Sequence, residues 1–118
     1  MPDQSDLSML RDRLRAFAGA RDWDQFHSPK NLSMALMVEA AELMEHFQWL
    51  TEAQSAGLPP EVKRAVGEEL ADILLYLVRL SDKLGIDLRE AALHKLEKNA
   101  VKYPADLVRG SAKKYSEY

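Results

Sequence analysis

The amino-acid sequence predicts an all-α protein, built as a four-helix antiparallel bundle. Apolar residues recur at helical spacing in four segments, and the connections between the segments are short and polar or rich in turn residues. The length of 118 residues suits a single domain over 1–118, in which 105–118 form a polar C-terminal tail. A hydrophobic content of 47% is sufficient to build a core in such a domain.

The first two helices follow from apolar spacing and from one strong start signal. A first helix is expected over 7–20, followed by an aromatic-rich connector over 21–27. Ser28 and Pro29 combine an N-cap residue with a proline at the first helical position. The second helix is therefore expected to begin there and to continue to about Leu50.

Glycine, proline and capping residues delimit the other two helices. A loop is expected over 53–60, which contains one glycine and a Pro-Pro pair. The third helix should cover 61–85 and stop at its final glycine. Asp87 and Glu90 resemble a capping box that opens the fourth helix. That helix should end near Lys102, because a proline two residues later restricts the backbone.

The third helix carries large apolar residues on almost every side of its axis. The residues concerned are Ile73, Leu74, Leu75, Leu77 and Val78. A helix that is apolar all round is buried all round. Since a chain of 118 residues has few places to bury such a helix, we expect a homo-oligomer.

Two pairs of acidic residues with identical spacing lie on the second and third helices. Glu39 and Glu42 form the first pair, and Glu69 and Asp72 form the second. At about 100° per residue, Glu39 and Glu69 fall inside apolar stripes, and the other acid of each pair lies about 60° away. Clustered buried carboxylates require a compensating charge. The pairs therefore predict a site for a divalent cation.

Ion pairing and di-iron binding would also account for buried acids, but the sequence favours neither. A buried carboxylate is often paired with Lys or Arg, but neither apolar stripe contains a basic residue between its ends. A di-iron bundle requires Glu-x-x-His on two helices, and this chain lacks the paired motif. Because all four donors are oxygens, Mg²⁺ is the expected ion, with Mn²⁺ as a substitute.

Residues around the acids indicate which ligand would bind together with the cation. Mg²⁺ usually bridges protein carboxylates to phosphates. Trp49 and Tyr76 are expected to border the acids, where a base could stack, although each could be an ordinary core aromatic. Lys95, Asn99 and Lys102 share one face of the fourth helix, which could equally be a solvated basic face. Together these residues predict a nucleotide site.

Composition and charge exclude several classes of protein. The net charge of −3 gives no electrostatic basis for binding nucleic acid or an acidic membrane. The absence of cysteine excludes disulfides and thiolate metal sites. The sequence shows no signal-peptide pattern and no apolar run long enough to span a bilayer. We therefore expect a cytoplasmic protein with no nucleic-acid or membrane partner.

Beyond the acidic pairs, five short segments carry a recognisable pattern. They are 21–27 (RDWDQFH), 47–49 (FQW), 68–77 (EELADILLYL), 102–104 (KYP) and 109–115 (RGSAKKY). With the acids, they resemble the all-α nucleoside triphosphate pyrophosphohydrolases of the MazG type, and among these the dCTP pyrophosphatase branch. The similarity covers nearly the whole chain from about Leu7 onward.

The resemblance implies a MazG-like fold and a specific activity. It implies Mg²⁺-dependent hydrolysis between the α- and β-phosphates of dCTP or modified dCTP, which yields the monophosphate and pyrophosphate and sanitises the nucleotide pool. It implies a homotetramer built as a dimer of dimers. The implied metal-binding and catalytic residues are Glu39, Glu42, Glu69 and Asp72. The residues implied to line the nucleoside pocket are Trp23, Phe26, His27, Trp49 and Tyr76.

Two alternatives to this function remain open. The same scaffold could serve a broader NTP or dUTP pyrophosphatase. It could also be a metal-stabilised helical interaction module without catalysis. If the site binds a nucleotide, Lys95 and Asn99 on the fourth helix are expected to contribute to substrate binding.

Overall fold

The computed structural model describes residues 5–112 and is helical over most of that range, which confirms the predicted all-α class. Its elements are α1 (Asp6–Ala20), a 3₁₀ turn (Asp24–Phe26), α2 (Pro29–Glu45), α3 (Glu52–Ala56), α4 (Pro60–Lys83), α5 (Leu88–Lys102) and α6 (Ala105–Val108). The last part of the predicted tail, 113–118, lies outside the described residues. Within 5–112, no helix is both long and apolar enough to cross a bilayer.

Side-chain caps explain where two of the long helices begin. Ser28 Oγ accepts a hydrogen bond from the backbone N–H of Asn31 at 3.1 Å, and Pro29 occupies the first helical position. Asp87 Oδ1 accepts a hydrogen bond from the backbone N–H of Glu90 at 3.0 Å. These bonds satisfy N–H groups that have no partner inside the helix. Both predicted helix starts are thereby confirmed.

The C-terminal end of α4 depends on a glycine, as predicted. Gly85 has a φ of +68°, in the left-handed region that other residues rarely adopt. The backbone N–H of Ile86 donates to Ser81 O at 2.8 Å, which closes the turn after the helix. The first compact unit of the chain ends at Ile86, and the second begins at Asp87.

The second helix is shorter than its apolar spacing predicted. α2 ends at Glu45, whereas the sequence pattern suggested an end near Leu50. Beyond Glu45 the backbone tightens: Phe47 N donates to Met44 O at 2.9 Å, and Leu50 N donates to Phe47 O at 2.9 Å. Residues past Glu45 therefore leave regular α-helical geometry. The position beside the acids that helical spacing predicted for Trp49 depended on a helix that continues to Leu50.

A capping box after α2 corrects the loop prediction for 53–60. Thr51 is extended, and its Oγ1 accepts a hydrogen bond from Gln54 N at 3.1 Å. Gln54 Oε1 accepts one in return from Thr51 N at 3.0 Å. Because an N-cap residue is not helical, the chain has to leave α2 before Thr51. The first part of the predicted loop is instead the short helix α3.

The centre of the first unit is the contact between α2 and α4, and α1 packs against α4. α2 and α4 run antiparallel, because His27 before α2 contacts Arg79 late in α4. Glu39 in the middle of α2 meets Glu69 in the middle of α4. Burial of each large apolar side chain here contributes about 1.5–3 kcal/mol. The buried apolar residues of the described chain are Ala18, Leu32, Val66 and Val78.

Candidate functional site

Three carboxylates from the antiparallel pair converge. α2 carries Glu39, and α4 carries Glu69 and Asp72. One carboxylate oxygen from each residue lies within 4.8 Å of the other two. Glu39 and Glu69 are half-buried, and Asp72 is exposed. The cluster is therefore closed on the helix-pair side and open to solvent through Asp72.

The inner part of the cluster lacks hydrogen-bond donors. Glu39 Oε2 and Glu69 Oε2 are buried, and neither has a hydrogen-bond partner within the described chain. Two carboxyl groups can bond to each other only when one is protonated. The contact with Glu69, together with burial and the nearby Glu42, accordingly raises the pKa of Glu39 to about 7. Unpaired buried oxygens with repelling charges fit a divalent cation.

Glu42 lies beside this cluster rather than inside it. Its charge contributes to the raised pKa of Glu39, so the two carboxyl groups are close. It does not belong to the group of three oxygens that lie within 4.8 Å of one another. The described structure thus brings together three of the four predicted acids and leaves the fourth adjacent. Metal ligation by these residues remains a prediction.

A cavity of about 310 Å³ adjoins the carboxylates. A cavity of that size, apolar with a few convergent polar groups, is typical of small-molecule sites. Glu39 and Asp72 contribute the acidic part of its lining. The remaining lining residues are Leu14, Phe17, Ala18, Trp23, His27, Leu75, Tyr76 and Arg79.

Three aromatic rings form one wall of the cavity. The Trp23 ring meets Phe17 edge-on at 5.6 Å and 71°, and it meets His27 at 6.2 Å and 60°. The guanidinium of Arg21 lies over the Phe17 ring at 3.6 Å, a cation–π contact that fixes this ring. The sequence places Phe17 in the first helix but gives no sign of a role in the site. Only the fold brings Phe17 beside the connector that holds Trp23.

Tyr76 lines the same cavity, one turn after Asp72 on α4. Burial and the charges of Glu39 and Asp72 raise the pKa of its phenol. The hydroxyl therefore stays protonated at neutral pH and can donate a hydrogen bond. Tyr76 therefore lies at the acidic end of the cavity, and its predicted contact with a nucleoside remains a prediction.

Four of the seven residues predicted to bind the substrate are not among those that line this cavity. Trp49 follows the end of α2 and is 86% exposed in the single chain. Phe26, in the 3₁₀ turn, is 59% exposed. Lys95 and Asn99 lie on α5 in the second unit. Substrate contacts for these four residues remain predictions.

Arg79 is a polar cavity residue that the sequence pattern did not single out. Its side chain is buried on α4, only 4% of the residue is exposed, and it lines the cavity. It pairs with Asp24 and donates from Nε to His27 Nδ1 at 3.1 Å. Within the described residues, its ion pairs are with Asp24 and Asp82 and not with the clustered carboxylates. A lone arginine within the apolar run of the third helix was the available signal.

Comparison with known proteins gives one consistent result. A model of the MazG-like family matches residues 34–118. The chain is 47% identical over 108 residues to dCTP pyrophosphatase 1 of Mus musculus, and equally so to the Homo sapiens protein. Each alignment covers 89% of this chain and 64% of the relative, so the chain spans less than two thirds of these relatives.

A solved structure shares the architecture as well. It is a pyrophosphatase from Archaeoglobus fulgidus, which superposes with a TM-score of 0.77 at 40% sequence identity. The match covers 88% of this chain and 97% of the archaeal chain. The likeness therefore extends to nearly all of the archaeal protein.

Proposed function

This chain belongs to the MazG-like family, and on that premise we propose that it is a Mg²⁺-dependent nucleoside triphosphate pyrophosphohydrolase. Its substrate is dCTP or a modified dCTP, and its products are the monophosphate and pyrophosphate. The observation that carries the proposal is the cluster of three carboxylate oxygens within 4.8 Å, at the edge of an aromatic cavity. Relatives at 47% identity are named dCTP pyrophosphatase 1.

Glu39, Glu69 and Asp72 would hold the metal, with Glu42 completing the set from the next turn of α2. When bound, Mg²⁺ supplies charge neutralisation for the triphosphate and lowers the pKa of a coordinated water. The buried oxygens of Glu39 and Glu69, which have no donors within the described chain, favour this assignment. All-oxygen donors select Mg²⁺ or Mn²⁺ over softer ions.

The chain's own groups can move the proton that hydrolysis releases. A general base works best when its pKa is close to the working pH. The neighbouring carboxyl groups raise the pKa of Glu39 to about 7 in the metal-free chain. That pKa applies without a cation, which would favour the carboxylate form. A carboxylate oxygen of Glu39 or Glu42 that no cation occupies would accept the proton of the attacking water, while the Tyr76 hydroxyl donates to the nucleotide.

The aromatic wall would hold the base. Trp23 and His27 offer ring surfaces in the cavity, and Phe17 packs against Trp23. Aromatic stacking is tolerant of base identity, so the stacking rings alone do not select a base. The preference for dCTP in this proposal follows from the relatives at 47% identity, which are named dCTP pyrophosphatase 1.

We also propose that the active form is a homotetramer, a dimer of dimers. Met34, Met37 and Met44 on α2 and Leu70 and Leu74 on α4 are exposed in the single chain. Apolar surface of this extent on two long helices is typical of a face that another subunit covers. The central helix pair is then buried on both sides, as the all-round apolar character of α4 predicts.

The test is pyrophosphate release from each of the four dNTPs, and from UTP and dUTP, with Mg²⁺. Preferential turnover of dCTP supports the proposal, and similar kcat/KM for all substrates supports the broader pyrophosphatase. Asp72→Asn should abolish turnover, whereas Glu68→Gln, an exposed change on the same helix, should not. A protein that binds Mg²⁺ but releases pyrophosphate from none of these substrates is the non-catalytic module.

A further inference from the structure

Two nitrogens of the Arg79 guanidinium form hydrogen bonds to protein groups, and the third lies at ion-pair distance from a carboxylate. Nε donates to His27 Nδ1 at 3.1 Å, and Nη2 bonds to Asp24. Nη1 lies 3.7 Å from Oδ2 of Asp82, a carboxylate that Arg15 also binds. The residue is 4% exposed. The edge of the guanidinium formed by Nε and Nη2 is therefore occupied by His27 and Asp24.

The bond from Arg79 determines which nitrogen of His27 carries the proton. An arginine Nε–H can only donate, so Nδ1 of His27 must be the unprotonated acceptor. The neutral ring then carries its hydrogen on Nε2. Burial and the positive charge of Arg79 lower the pKa of His27, with Asp24 opposing and Lys83 adding to this effect. His27 is therefore a neutral donor at physiological pH.

The Nε2–H group has no acceptor of its own within residues 5–112. Its ring lines the cavity together with Trp23 and Tyr76. A donor held in one tautomer, on the wall of an aromatic cavity, suits an acceptor atom of a bound ligand. Pyrimidine bases offer carbonyl oxygens of this kind.

Arg79 also fixes the backbone that carries His27. Asp24 is the first residue of the 3₁₀ turn and His27 directly follows the turn, and both bond to the same guanidinium. Lys83 reaches Asp24 at 3.2 Å but makes no bond to His27. Arg79 is thus the residue that ties both ends of the turn to α4, one turn after Tyr76.

We propose that Arg79 is a positioning residue for nucleotide recognition, which holds His27 as the Nε2–H tautomer so that this ring donates to the base. The inference rests on the proposed function for its ligand, but the state of His27 can be measured without any ligand. Arg79 itself touches neither base nor phosphate. Replacing Arg79 should therefore weaken nucleotide binding through its effect on His27.

The direct test is ¹⁵N NMR of the histidine rings in the ligand-free protein, with His27 signals assigned from a His27→Gln variant. The wild type should show His27 protonated on Nε2 and unprotonated on Nδ1. Arg79→Met should give mixed tautomers and a higher ring pKa. Lys83→Met removes a cation from Asp24 but no hydrogen bond to His27, so it should keep the wild-type tautomer and raise the ring pKa less than Arg79→Met does. A wild-type ring protonated on Nδ1 overturns the inference, even if Arg79→Met does not fold.

Kinetics provide the second test. Arg79→Met should raise the KM for dCTP roughly fivefold to tenfold, the effect of one lost hydrogen bond, with kcat changed less than about twofold. Arg79→Lys keeps the charge but not the planar fork, so it should recover only part of this loss. The double variant Arg79→Met with His27→Gln should have the same KM for dCTP as His27→Gln alone. Both changes remove the same contact, the hydrogen bond from His27 to the base.

Additive losses in the double variant would overturn the inference. So would a parallel loss of inhibition by inorganic tripolyphosphate, since that result means Arg79 binds phosphate. Thermal unfolding of every variant separates these effects from misfolding. If wild-type protein hydrolyses no nucleotide, the proposed function fails. If it is active but His27 keeps its tautomer in Arg79→Met, only the role of Arg79 fails.

Discussion

Replacing Glu39 with glutamine should stabilise the metal-free protein at alkaline pH. Neighbouring carboxyl groups and burial raise the pKa of Glu39 from 4.5 to about 7. A raised pKa means that the folded state favours the protonated acid. The contribution of the protonated Glu39 side chain to folding stability is therefore fully present below about pH 4.5. It is lost as the pH rises through 7. Glutamine resembles the protonated acid at every pH, so the variant should not suffer this loss.

The size of the effect follows from the same pKa values. One pKa unit corresponds to about 1.4 kcal/mol, so the interval from 4.5 to about 7 sets an upper limit of roughly 3 kcal/mol. Solvent reaches the cluster through the exposed Asp72 and screens part of this repulsion. We therefore expect Glu39→Gln to gain ~1–2 kcal/mol at pH 8. For a chain of this length that is a rise in Tm of ~4–8 °C.

The assay is thermal unfolding in EDTA at pH 5 and pH 8, with equal protein concentrations because oligomers unfold at concentration-dependent temperatures. Glu68→Gln is the matched control, since it removes the same charge from an exposed position next to Glu69. Only Glu39→Gln should become more stable than wild type on going from pH 5 to pH 8. Added Mg²⁺ should then stabilise wild type more than the variant.

Two outcomes would contradict this prediction. An equal gain for Glu68→Gln would mean that the benefit comes from overall charge and not from the cluster. A loss of stability in Glu39→Gln at both pH values would mean that the carboxylate is structurally paired in the native protein. In that case the cluster is an ion-pair site and not a metal site.

Three further predictions concern metal, base and assembly. EDTA should abolish pyrophosphate release and Mg²⁺ or Mn²⁺ should restore it, so full turnover in chelator argues against the metal assignment. Trp49→Ala should weaken dCTP binding by ~1–3 kcal/mol, as for one lost stacking partner, without changing inhibition by tripolyphosphate. Equal losses for both ligands would leave Trp49 a packing role only. Light scattering at micromolar concentration should give the mass of a tetramer, and a monomer would be inconsistent with the covered apolar faces.

The parts of the fold that depend on local geometry were predictable. Helical periodicity places Glu39 and Glu69 on inward faces whatever else the chain does. Start signals such as Ser28–Pro29 act through bonds within one turn, so they can be recognised without tertiary structure. The convergence of Glu39 with Glu69 and Asp72 followed once the helices were expected to pack antiparallel, whereas Glu42 lies beside this cluster.

The predictions were wrong where apolar spacing continued beyond a helix, where a cap was missed, or where contacts join distant residues. Apolar spacing extended α2 to Leu50, but α2 ends at Glu45 and is followed by tighter turns. The capping box of Thr51 and Gln54 can be recognised in the sequence, and it starts α3 inside the predicted loop. Arg79 and His27 are 52 residues apart, so no spacing rule links them.

The identity of the products formed from dCTP is the decisive measurement for the proposed activity. Wild-type protein is incubated with dCTP and Mg²⁺, and the products are separated by anion-exchange chromatography and quantified. Because we propose hydrolysis between the α- and β-phosphates, dCMP and pyrophosphate should appear in equal amounts, with no dCDP. Asp72→Asn, which removes one charge of the carboxylate cluster, should yield neither product. Formation of dCDP and inorganic phosphate, or intact dCTP after prolonged incubation, would contradict the proposed activity.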